Sequence, residues 1–484
     1  MDLVVGIDLA TADVRAMSAD GSGKVYARAE RPLPQPRSPQ PGWSEQNAAA
    51  WWPAVAATLS ELTDRLGVRS RRVVALSVSA TSATVVALDA SGRPLGPAIT
   101  YADQRAVAEA VAAQAAAPST WAALGLTIAP SFGLPKWAWM LRKPAFAADP
   151  PARLGHASDA VVAALTGALP PTDTSHALKS GYDPVHRRWV SEAMDALDIP
   201  ARLLPEVRLP GSPAGRLSPE ASRATGLPAG CEVRLGMTDS CAAQLAAGAA
   251  EPGRFVSVLG STLVLKGATE GLLVDPAGAV YSHLHPAGWW LPGGASSTGG
   301  KALAAGFPHA DLRKLDRQAA ARGPSSCVTY PLFGRGERFP FAAPCAQGFT
   351  LGKPRDEIDR YRALLEGVAF VERMGYERLR ELGAVPAGPL VSAGGGSAST
   401  VWNTIRATVL GTTLEARPGA STALGACILA AAGTLHPDLR LAAREMSVTG
   451  TPVAPEDAEL SRLDASYHRF KSEVFRQGWT PDRG

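Results

Sequence analysis

Short apolar runs separated by turns dominate the beginning of the chain. Residues 3–7, 14–17 and 25–29 have the composition of β-strands, and the small polar residues at 20–23 predict a tight turn. These features predict a β-meander. A similar pattern returns at residues 255–259 and 263–266, where two apolar runs flank a tip of small residues. The two halves of the chain therefore look like repeats of one structural unit.

Strand-like and helix-like segments alternate along the rest of the chain. Strands are predicted at residues 73–78, 84–88 and 389–391, and helices at 106–116, 160–165, 361–382 and 424–432. The segment 200–228 is rich in proline and glycine, which predicts a connector over the surface. Alternating strands and helices in both halves indicate the α/β fold class.

The length of 484 residues favours two domains, because a single core stops growing at roughly 250–300 residues. A boundary soon after Asp239 predicts an N-terminal domain of residues 1–245 and a C-terminal domain of residues 246–484. For the segment from about Ala454 to the end, our hypothesis is a helix that packs back on the first domain.

Bulk composition argues against several classes of protein. A net charge of +4 without a basic block gives no support for nucleic-acid binding. The apolar stretches are shorter than the ~20 residues that span a bilayer, and the first residues do not have the pattern of a signal peptide. We therefore expect no membrane association and a cytoplasmic location. Five widely separated cysteines without a C-x-x-C pair argue against a disulfide framework and a zinc site.

Two aspartates end apolar runs in corresponding places. Asp8 precedes a tight turn that contains Thr11, and Asp239 follows the apolar run 233–237. The hydroxyl and amide groups of such a turn can bind phosphate oxygens, while a carboxylate attracts Mg²⁺ through its waters. Phosphoryl transfer to an alcohol needs a carboxylate as base and positive charge near the phosphates. In the alternative interpretation, Asp8 caps its own turn and Asp239 caps the Ala-rich helix that follows.

Glycine-rich segments indicate where a nucleotide could bind. Gly394-Gly395-Gly396 lies between a predicted strand and a predicted helix, where backbone amides are accessible to a ligand. A P-loop is absent. In the stretch that ends in Gly299-Gly300-Lys301, Ala295 replaces the leading glycine and Ala302 the metal-binding hydroxyl. Any nucleotide must therefore be bound by another design.

Further motifs follow one another in order along the whole chain. They are Pro41-Gly42-Trp43-Ser44-Glu45-Gln46 with Trp51-Trp52, residues 88–95, Asp103-Gln104-Arg105, Leu165-Thr166-Gly167, Gly336-Glu337-Arg338, residues 365–370, the Gly394 run with Trp402-Asn403, and Leu424-Gly425-Ala426. Together with the Asp8 turn, this set resembles the FGGY family of carbohydrate kinases, which includes glycerol, xylulose and ribulose kinases. So many ordered matches leave little room for chance.

The resemblance implies two actin-like (ribonuclease H-like) α/β lobes with a central cleft for ATP and sugar, and phosphorylation of a small polyol or ketose with ATP and Mg²⁺. The implied catalytic residues are Asp239 as general base, with Asp8 and Thr11 facing the transferred phosphate. The metal would lie at Asp8 and Asp239. The implied ATP-binding residues are Thr11, Arg15, Gly260, Ser261, Thr262, Gly395, Gly396, Ser399, Trp402 and Asn403. The implied sugar-binding residues are Asp8, Thr81, Ser82, Asp239 and Ser240.

Two departures from the family pattern bear on activity and substrate. The family's first turn usually reads Asp-x-Gly-Thr-Ser, whereas Ala10 and Ala12 occupy the glycine and serine places here. Xylulose kinases carry Gln-Met-His where this chain has Thr81-Ser82-Ala83, so an imidazole partner of the sugar is missing. Residues 79–84 and Thr238-Asp239-Ser240 resemble instead the plant and cyanobacterial D-ribulose kinase branch. D-ribulose is therefore the predicted substrate.

The sequence leaves alternatives open. The acceptor could be xylulose or another polyol, and the altered first turn would also suit a sugar- or nucleotide-sensing protein without turnover. The hydroxyls of Thr81 and Ser82 could simply bond the backbone at a strand end. His283 and His285 have a spacing that metals use, but no third ligand is apparent. The oligomeric state is equally open, a homodimer included.

Overall fold

The computed structural model describes residues 1–144, 146 and 150–480. Contacts divide the chain into two compact units. The first comprises Met1–Ala246, His283–Gly288 and Ser421–Ser447, and the second comprises Ala247–Ser282, Trp289–Ala420 and Val448–Gly484. Sheets and helices occur in both units, which confirms the predicted α/β fold class.

The first unit contains the strands β1 to β14. They are β1 Leu3–Leu9, β2 Asp13–Ala19, β3 Val25–Pro32, β4 Glu45–Gln46, β5 Val73–Ala80, β6 Val85–Leu88, β7 Ala98–Ile99, β8 Arg153–His156, β9 Thr172–Asp173, β10 Tyr182–Asp183, β11 Arg188–Trp189, β12 Val207–Arg208, β13 Pro213–Arg216 and β14 Glu232–Thr238. Its helices include Trp51–Leu66, Val107–Ala116, Pro118–Ala123, Gly133–Leu141, Ala157–Thr166, Thr174–Ala177, Ser191–Ala196, Pro219–Thr225, Asp239–Ala246, Thr422–Ala431 and Leu439–Met446.

The main sheet of the first unit has the strand order β13-β14-β5-β1-β2-β3. Strands β1, β2 and β3 form the predicted antiparallel meander, whereas β5 and β14 run parallel to β1. All seven residues of β1 are buried, as expected for a central strand covered on both faces. The carboxyl ends of β1, β5 and β14 therefore meet at one edge of the sheet.

Close helix packing fixes the helix that begins at Asp239. A Cβ atom on Gly425 would lie only 1.9 Å from the backbone oxygen of Ala242, so only glycine allows the helix Thr422–Ala431 to approach so closely. The hydroxyl of Thr422 also donates a hydrogen bond to the backbone oxygen of Asp239, at 3.3 Å. The Leu424-Gly425-Ala426 motif is thus explained by packing within the first unit.

The second unit contains most of the remaining elements. Its strands include β15 Phe255–Leu259, β16 Leu263–Gly267, β18 Trp290–Ala295, β19 Val328–Tyr330, β20 Phe349–Leu351, β21 Leu390–Ala393, β22 Leu414–Ala416 and β23 Thr451–Val453; β17, Tyr281–Leu284, lies where the two units divide. Its helices include Lys301–Gly306, Leu312–Arg322, Glu357–Glu381, Thr400–Leu410 and Asp457–Arg476. Strands β18, β16, β15, β21, β22 and β23 are neighbours in that order.

Two segments differ from the sequence-based expectations. The segment 200–228 is not only a connector, because it contains β12, β13 and the helix Pro219–Thr225, and β13 is an edge strand paired with β14. The segment after residue 454 forms the helix Asp457–Arg476, but this helix belongs to the second unit, where Tyr467 donates to Glu377 at 2.6 Å. The late segment that groups with the first unit is instead Ser421–Ser447.

Candidate active site

Two carboxylates lie at the same edge of the sheet in the first unit. Asp8 is the penultimate residue of β1 and is paired with Arg15 on β2 and Ser79 on β5. Asp239 begins the helix that follows β14, whose last residue, Thr238, is paired with Ala80 at the end of β5. Strand β5 thus lies between β1, which carries Asp8, and β14, which precedes Asp239. The loop that follows β5 starts between these two aspartates.

The environment of Asp8 favours the uncharged carboxyl group. Burial, followed by the nearby carboxylate of Asp239, raises the pKa of Asp8 to about 7, although Arg15 opposes this shift. Arg15 lies 3.5 Å from one oxygen, Oδ2, and is itself half exposed. The other oxygen, Oδ1, is buried and has no hydrogen-bond partner among the residues that the structure describes. A cation at this oxygen would offset both burial and the repulsion from Asp239.

The turn after Asp8 is closed by its own backbone and supported from one side. The amide of Ala10 donates to the oxygen of Asp13 at 3.0 Å. The side-chain amide of Gln46 donates to the backbone oxygen of Thr11 at 2.7 Å. Neither Ala10 nor Ala12 has a positive φ, so the turn does not require glycine at either place. The two alanines are therefore compatible with the backbone of this turn.

The loop after β5 carries unsatisfied hydroxyl groups. Thr81 and Ser82 are half-buried, and the hydroxyl of Ser82 has no hydrogen-bond partner in the part of the chain that the structure describes. The same holds for the hydroxyls of Thr84 and Thr238. Buried hydroxyls are normally paired, so these groups are available to polar groups of a ligand. The alternative interpretation, in which the hydroxyl of Ser82 bonds to the backbone at the strand end, is therefore wrong for this residue.

A buried lysine holds this loop from behind. The ammonium group of Lys136 donates to the backbone oxygen of Ala83 at 3.0 Å and to that of Thr100 at 2.7 Å. Ala83 has a φ of 59°, a conformation that costs energy for any residue with a side chain. Burial lowers the pKa of Lys136 to about 7, although the charge of Asp103 opposes this. Lys136 therefore stabilises a strained loop at the price of its own desolvation.

The pKa of Lys136 predicts a pH-dependent contribution to stability. Because the folded state favours the neutral amine while the unfolded state keeps the proton, stability should rise as the pH increases above about 7. Relative to Lys136→Met, the wild type should gain roughly 1 kcal/mol per pH unit between about pH 7 and pH 9. Denaturation curves of both proteins over this range measure the difference. The exposed Lys24→Met is the control, and parallel pH profiles of wild type and Lys136→Met would contradict the prediction.

The neighbouring aromatic motifs pack around one arginine. The guanidinium of Arg105 lies 3.7 Å from the ring centre of Trp43 and 4.7 Å from that of Trp139. It also pairs with Asp103 at 2.7 Å and with Glu45 at 2.6 Å. Arg105 is buried and fully engaged, so these motifs form a rigid wall of the first unit.

A cavity of about 660 Å³ in the second unit brings together most of the residues predicted for the nucleotide. The predicted residues that line it are Gly260, Ser261, Gly395, Gly396, Ser399 and Trp402. Gly260 and Ser261 belong to the tip of the hairpin β15–β16, and Gly395 and Gly396 belong to the 3₁₀ turn Gly395–Ala398. Ligand pockets of small molecules are typically ~300–1,000 Å³ in volume. Thr262 is the third residue of the hairpin tip and is half-buried.

Hydrogen bonds fix the wall of this cavity. The hydroxyl of Ser399 accepts from the amide of Trp402 at 3.0 Å and donates to Asp316 at 2.7 Å. Asn403 is buried behind the glycine turn, where its amide donates to the backbone oxygen of Ser397 at 2.7 Å. Asn403 therefore orders the turn from behind. Trp402 is anchored through its ring nitrogen to the backbone oxygen of Leu365, at 3.0 Å.

Some lining residues were not assigned a role from the sequence. Lys301 lines the cavity, and its backbone amide donates to the oxygen of Ser261 at 3.0 Å. A Cβ atom on Gly299 would lie 2.5 Å from the backbone of Thr262, so the glycine permits this contact. The Gly299-Gly300-Lys301 motif was thus the sequence signal that could have located this part of the cavity wall. Asp316 and Tyr361, which are joined by a 2.7 Å hydrogen bond, had no comparable indication.

Metal binding at this site would depend on the carboxylates of Asp8 and Asp239. Among residues 1–144, 146 and 150–480, no group of three or more His, Cys, Asp or Glu side chains could hold a metal. The pair of Asp8 and Asp239 suits Mg²⁺, because this ion keeps several waters and uses one or two carboxylates together with phosphate oxygens.

Among the residues that the structure describes, no helix has the length and apolar character needed to cross a bilayer.

Known carbohydrate kinases are similar to this chain over most of its length. Residues 3–246 match the N-terminal domain, and residues 267–434 the C-terminal domain, of the FGGY family of carbohydrate kinases. A xylulose kinase of Escherichia coli strain K12 is 28% identical over 88% of this chain and 89% of its own length. A glycerol kinase of Gloeobacter violaceus is 30% identical over 89% and 88%. The crystal structure of a xylulose kinase from Rhodospirillum rubrum, 28% identical, covers 98% of each chain with a TM-score of 0.87.

Proposed function

We propose that this chain, which belongs to the FGGY family of carbohydrate kinases and is an ATP-dependent sugar kinase, uses D-ribulose as its preferred acceptor. The observation that carries the proposal is the position of Asp8 near the end of β1 and of Asp239 directly after β14, the two strands on either side of β5. The loop after β5, with the open hydroxyl of Ser82, starts between these two acids. A small polyhydroxyl substrate matches such a combination of two carboxylates and unpaired hydroxyls.

Asp239 is proposed as the general base. Its Oδ1 accepts a hydrogen bond from the amide of Ser240 at 2.6 Å, which fixes the orientation of the carboxylate. In this role it takes the proton of the acceptor hydroxyl as the oxygen attacks phosphorus. Ser240 and Thr81 are proposed to hold other hydroxyls of the sugar. The carboxylate is half-buried and therefore accessible to a substrate.

Asp8, Thr11 and Arg15 are proposed to face the phosphoryl group that is transferred. Mg²⁺ would be held at Asp8 and Asp239, where it offsets negative charge on the phosphates. The buried and unpaired Oδ1 of Asp8 supports this role, because a carboxylate oxygen without a partner is costly. The hydroxyl of Thr11 would donate to a phosphate oxygen, with its backbone fixed by Gln46.

The second unit is proposed to bind ATP in its 660 Å³ cavity. In this proposal, Ser261 and Thr262 at the hairpin tip offer backbone amides and hydroxyls to phosphate, while the amide of Gly260 closes the tip by donating to the oxygen of Thr262 at 3.0 Å. The glycine turn and Ser399 would border the adenosine, with Trp402 and Asn403 holding that wall. Two cations line this cavity, Lys301 and Arg313, and Lys301 adds positive charge beside the hairpin.

Two ketopentoses compete as the acceptor. D-ribulose is favoured by the small hydroxylated residues Thr81 and Ser82 in the loop after β5. D-xylulose is the second candidate, because proteins named xylulose kinase are similar to this chain over most of its length. The two sugars differ in the configuration of one hydroxyl, so a site with unpaired polar groups can discriminate between them.

A coupled assay of ADP release over a panel of acceptors tests the proposal. The panel contains D-ribulose, D-xylulose, L-ribulose and glycerol, and an Asp239→Asn preparation controls for contaminating kinases. We expect kcat/KM for D-ribulose to exceed that for D-xylulose by at least about tenfold, or 1.4 kcal/mol. A preference for D-xylulose or glycerol would overturn the choice of acceptor, and no turnover with any sugar or polyol would overturn the proposed chemistry.

A further inference from the structure

A buried polar cluster lies directly behind the strand ends that carry the proposed catalytic and sugar-binding residues. It consists of Asp173 at the end of β9 and of Ser175 and His176 in the turn of helix Thr174–Ala177. All three side chains are almost completely inaccessible to solvent. The carboxylate of Asp173 accepts hydrogen bonds from the hydroxyl of Ser175 at 2.6 Å and from Nδ1 of His176 at 2.5 Å. Neither Ser175 nor His176 was assigned a role from the sequence.

The cluster reaches two neighbouring strands. The hydroxyl of Ser175 accepts a hydrogen bond from the amide of Thr238 at 2.9 Å, and Thr238 immediately precedes Asp239. Nε2 of His176 lies 3.2 Å from the backbone oxygen of Ala80, which immediately precedes Thr81. At this point the β5–β14 ladder is irregular, because its register shifts between Leu235 and Thr238. Side chains of the cluster therefore bond to the main chain where the regular pairing of the two strands is interrupted.

Hydrogen-bond geometry and electrostatics together indicate the charge of the cluster. Both partners of the His176 ring, the carboxylate of Asp173 and the carbonyl oxygen of Ala80, accept hydrogen bonds and cannot donate them. With Asp173 ionised, as its lowered pKa indicates, only an imidazolium with a proton on each nitrogen satisfies both contacts. Burial lowers the pKa of His176, but the charge and hydrogen bond of Asp173 outweigh it, so that the pKa is raised. The pKa of Asp173 is correspondingly lowered, mainly by His176 against the effect of burial.

Other polar groups near His176 do not remove this charge. Asp159 adds a second negative charge that raises the pKa of His176. The ring of His156 lies 5.5 Å from that of His176, centre to centre. Nδ1 of His156 lies 2.9 Å from Asp159, and its Nε2 lies 2.9 Å from the hydroxyl of Ser180. Ser180 thus belongs to an adjacent buried network, and its hydroxyl bonds to His156 and not to Thr238 or Ala80.

We propose that Asp173, Ser175 and His176 are positioning residues, in which a buried imidazolium–carboxylate pair holds the ends of β5 and β14 so that Thr81 and Asp239 face the same acceptor. This inference rests on the proposed function for the roles of Thr81 and Asp239. Ser175 holds the backbone amide of Thr238, the residue before the base Asp239. His176 holds the backbone oxygen of Ala80, the residue before the sugar-binding loop. Loss of either contact should therefore affect catalysis rather than nucleotide affinity.

The variant Ser175→Ala tests the link to Asp239, and Ser180→Ala is its matched control. Both changes remove one fully buried serine hydroxyl, but only Ser175 contacts Thr238. We expect Ser175→Ala to lower kcat at least tenfold, with KM for ATP within twofold of the wild type. For Ser180→Ala we expect kcat within twofold, at a similar melting temperature. Equal kcat values for the two variants would overturn the link to Asp239.

The charge of His176 is tested by ¹⁵N NMR of histidine-labelled protein at pH 7, with His176→Gln used to assign the signals. We expect both ring nitrogens of His176 to be protonated, and a neutral ring would overturn the proposed ion pair. His176→Gln keeps a donor that can reach Ala80, whereas His176→Leu does not. The KM for the sugar should therefore rise at least fivefold more in His176→Leu than in His176→Gln. Equal KM values would overturn the link to the sugar loop.

Failure of this inference can be told apart from failure of the proposed function. If Asp239→Asn retains wild-type turnover, the proposed base is wrong, whatever Ser175→Ala does. If Asp239→Asn loses turnover while Ser175→Ala and Ser180→Ala have equal kcat values, Asp239 is supported as the base and the positioning role of Ser175 is wrong. The NMR measurement depends on neither outcome, because it reports the protonation of His176 without substrate.

Discussion

Asp239→Asn is expected to lower kcat by about 10²- to 10⁴-fold, the range that a positioned general base contributes. Asparagine keeps the oxygen that accepts from the amide of Ser240, so the local turn should be preserved. The amide cannot take a proton from the acceptor hydroxyl. Binding of ATP should be unchanged, since the loss acts on the transition state. Steady-state kinetics with D-ribulose, together with calorimetric titration of ATP, measure both quantities.

A second helix start provides the control for Asp239. Asp438 caps the helix Leu439–Met446 in the same unit by accepting from the amide of Leu441 at 2.8 Å. The variant Asp438→Asn therefore tests what the same chemical change does at a helix start without a catalytic role. We expect it to keep kcat within about twofold of the wild type. An equal decrease of kcat in Asp239→Asn and Asp438→Asn would show that Asp239 acts only as a helix cap.

Asp8→Asn is expected to lower kcat by about 100-fold or more at saturating Mg²⁺, because a metal at this site contributes several kcal/mol to charge stabilisation. The apparent affinity for Mg²⁺ should weaken, while the KM for the sugar should change by less than about threefold. The physical reason is the buried Oδ1 of Asp8, which has no hydrogen-bond partner among the described residues and is available to a cation. Initial rates over a matrix of Mg²⁺ and sugar concentrations separate the two effects.

Asp13→Asn is the matched control for Asp8. Asp13 also pairs with Arg15, at 2.7 Å, but it starts β2 on the far side of the turn. If the effect of Asp8→Asn came only from releasing Arg15, both variants would lose activity to a similar degree. We expect Asp13→Asn to retain nearly full activity and an unchanged Mg²⁺ dependence. A larger effect of Asp8→Asn on sugar KM than on Mg²⁺ dependence would contradict the assignment.

Local patterns predicted the elements around the candidate site well. The predicted strands at 3–7 and 73–78 correspond to β1 and β5, the apolar run 233–237 lies in β14, and the predicted helix at 361–382 corresponds to Glu357–Glu381. Gly167 ends the helix Ala157–Thr166 in the left-handed conformation, which glycine adopts without strain. These features depend on side-chain periodicity and backbone preference within a few residues, which a single sequence contains.

Pairing between distant segments was not predictable in the same way. Strand β13 lies in a proline- and glycine-rich stretch, and it forms only because β14 supplies its hydrogen-bond partners at the edge of the sheet. The helix Thr422–Ala431 packs in the first unit because Gly425 meets Ala242, a contact between residues far apart in sequence. The prediction of a surface connector at 200–228 was incomplete for this reason.

By itself, the sequence determined that two aspartates lie at or just after the ends of buried strands and that a glycine-rich turn follows a strand in the second half, because these are properties of short segments. Tertiary structure alone decided that β5 lies between β1, which carries Asp8, and β14, which precedes Asp239. It also decided that burial and Asp239 raise the pKa of Asp8, and that Ser175 and His176 lie behind the same strand ends. Such facts depend on which segments become neighbours, and that follows from the packing of the whole unit.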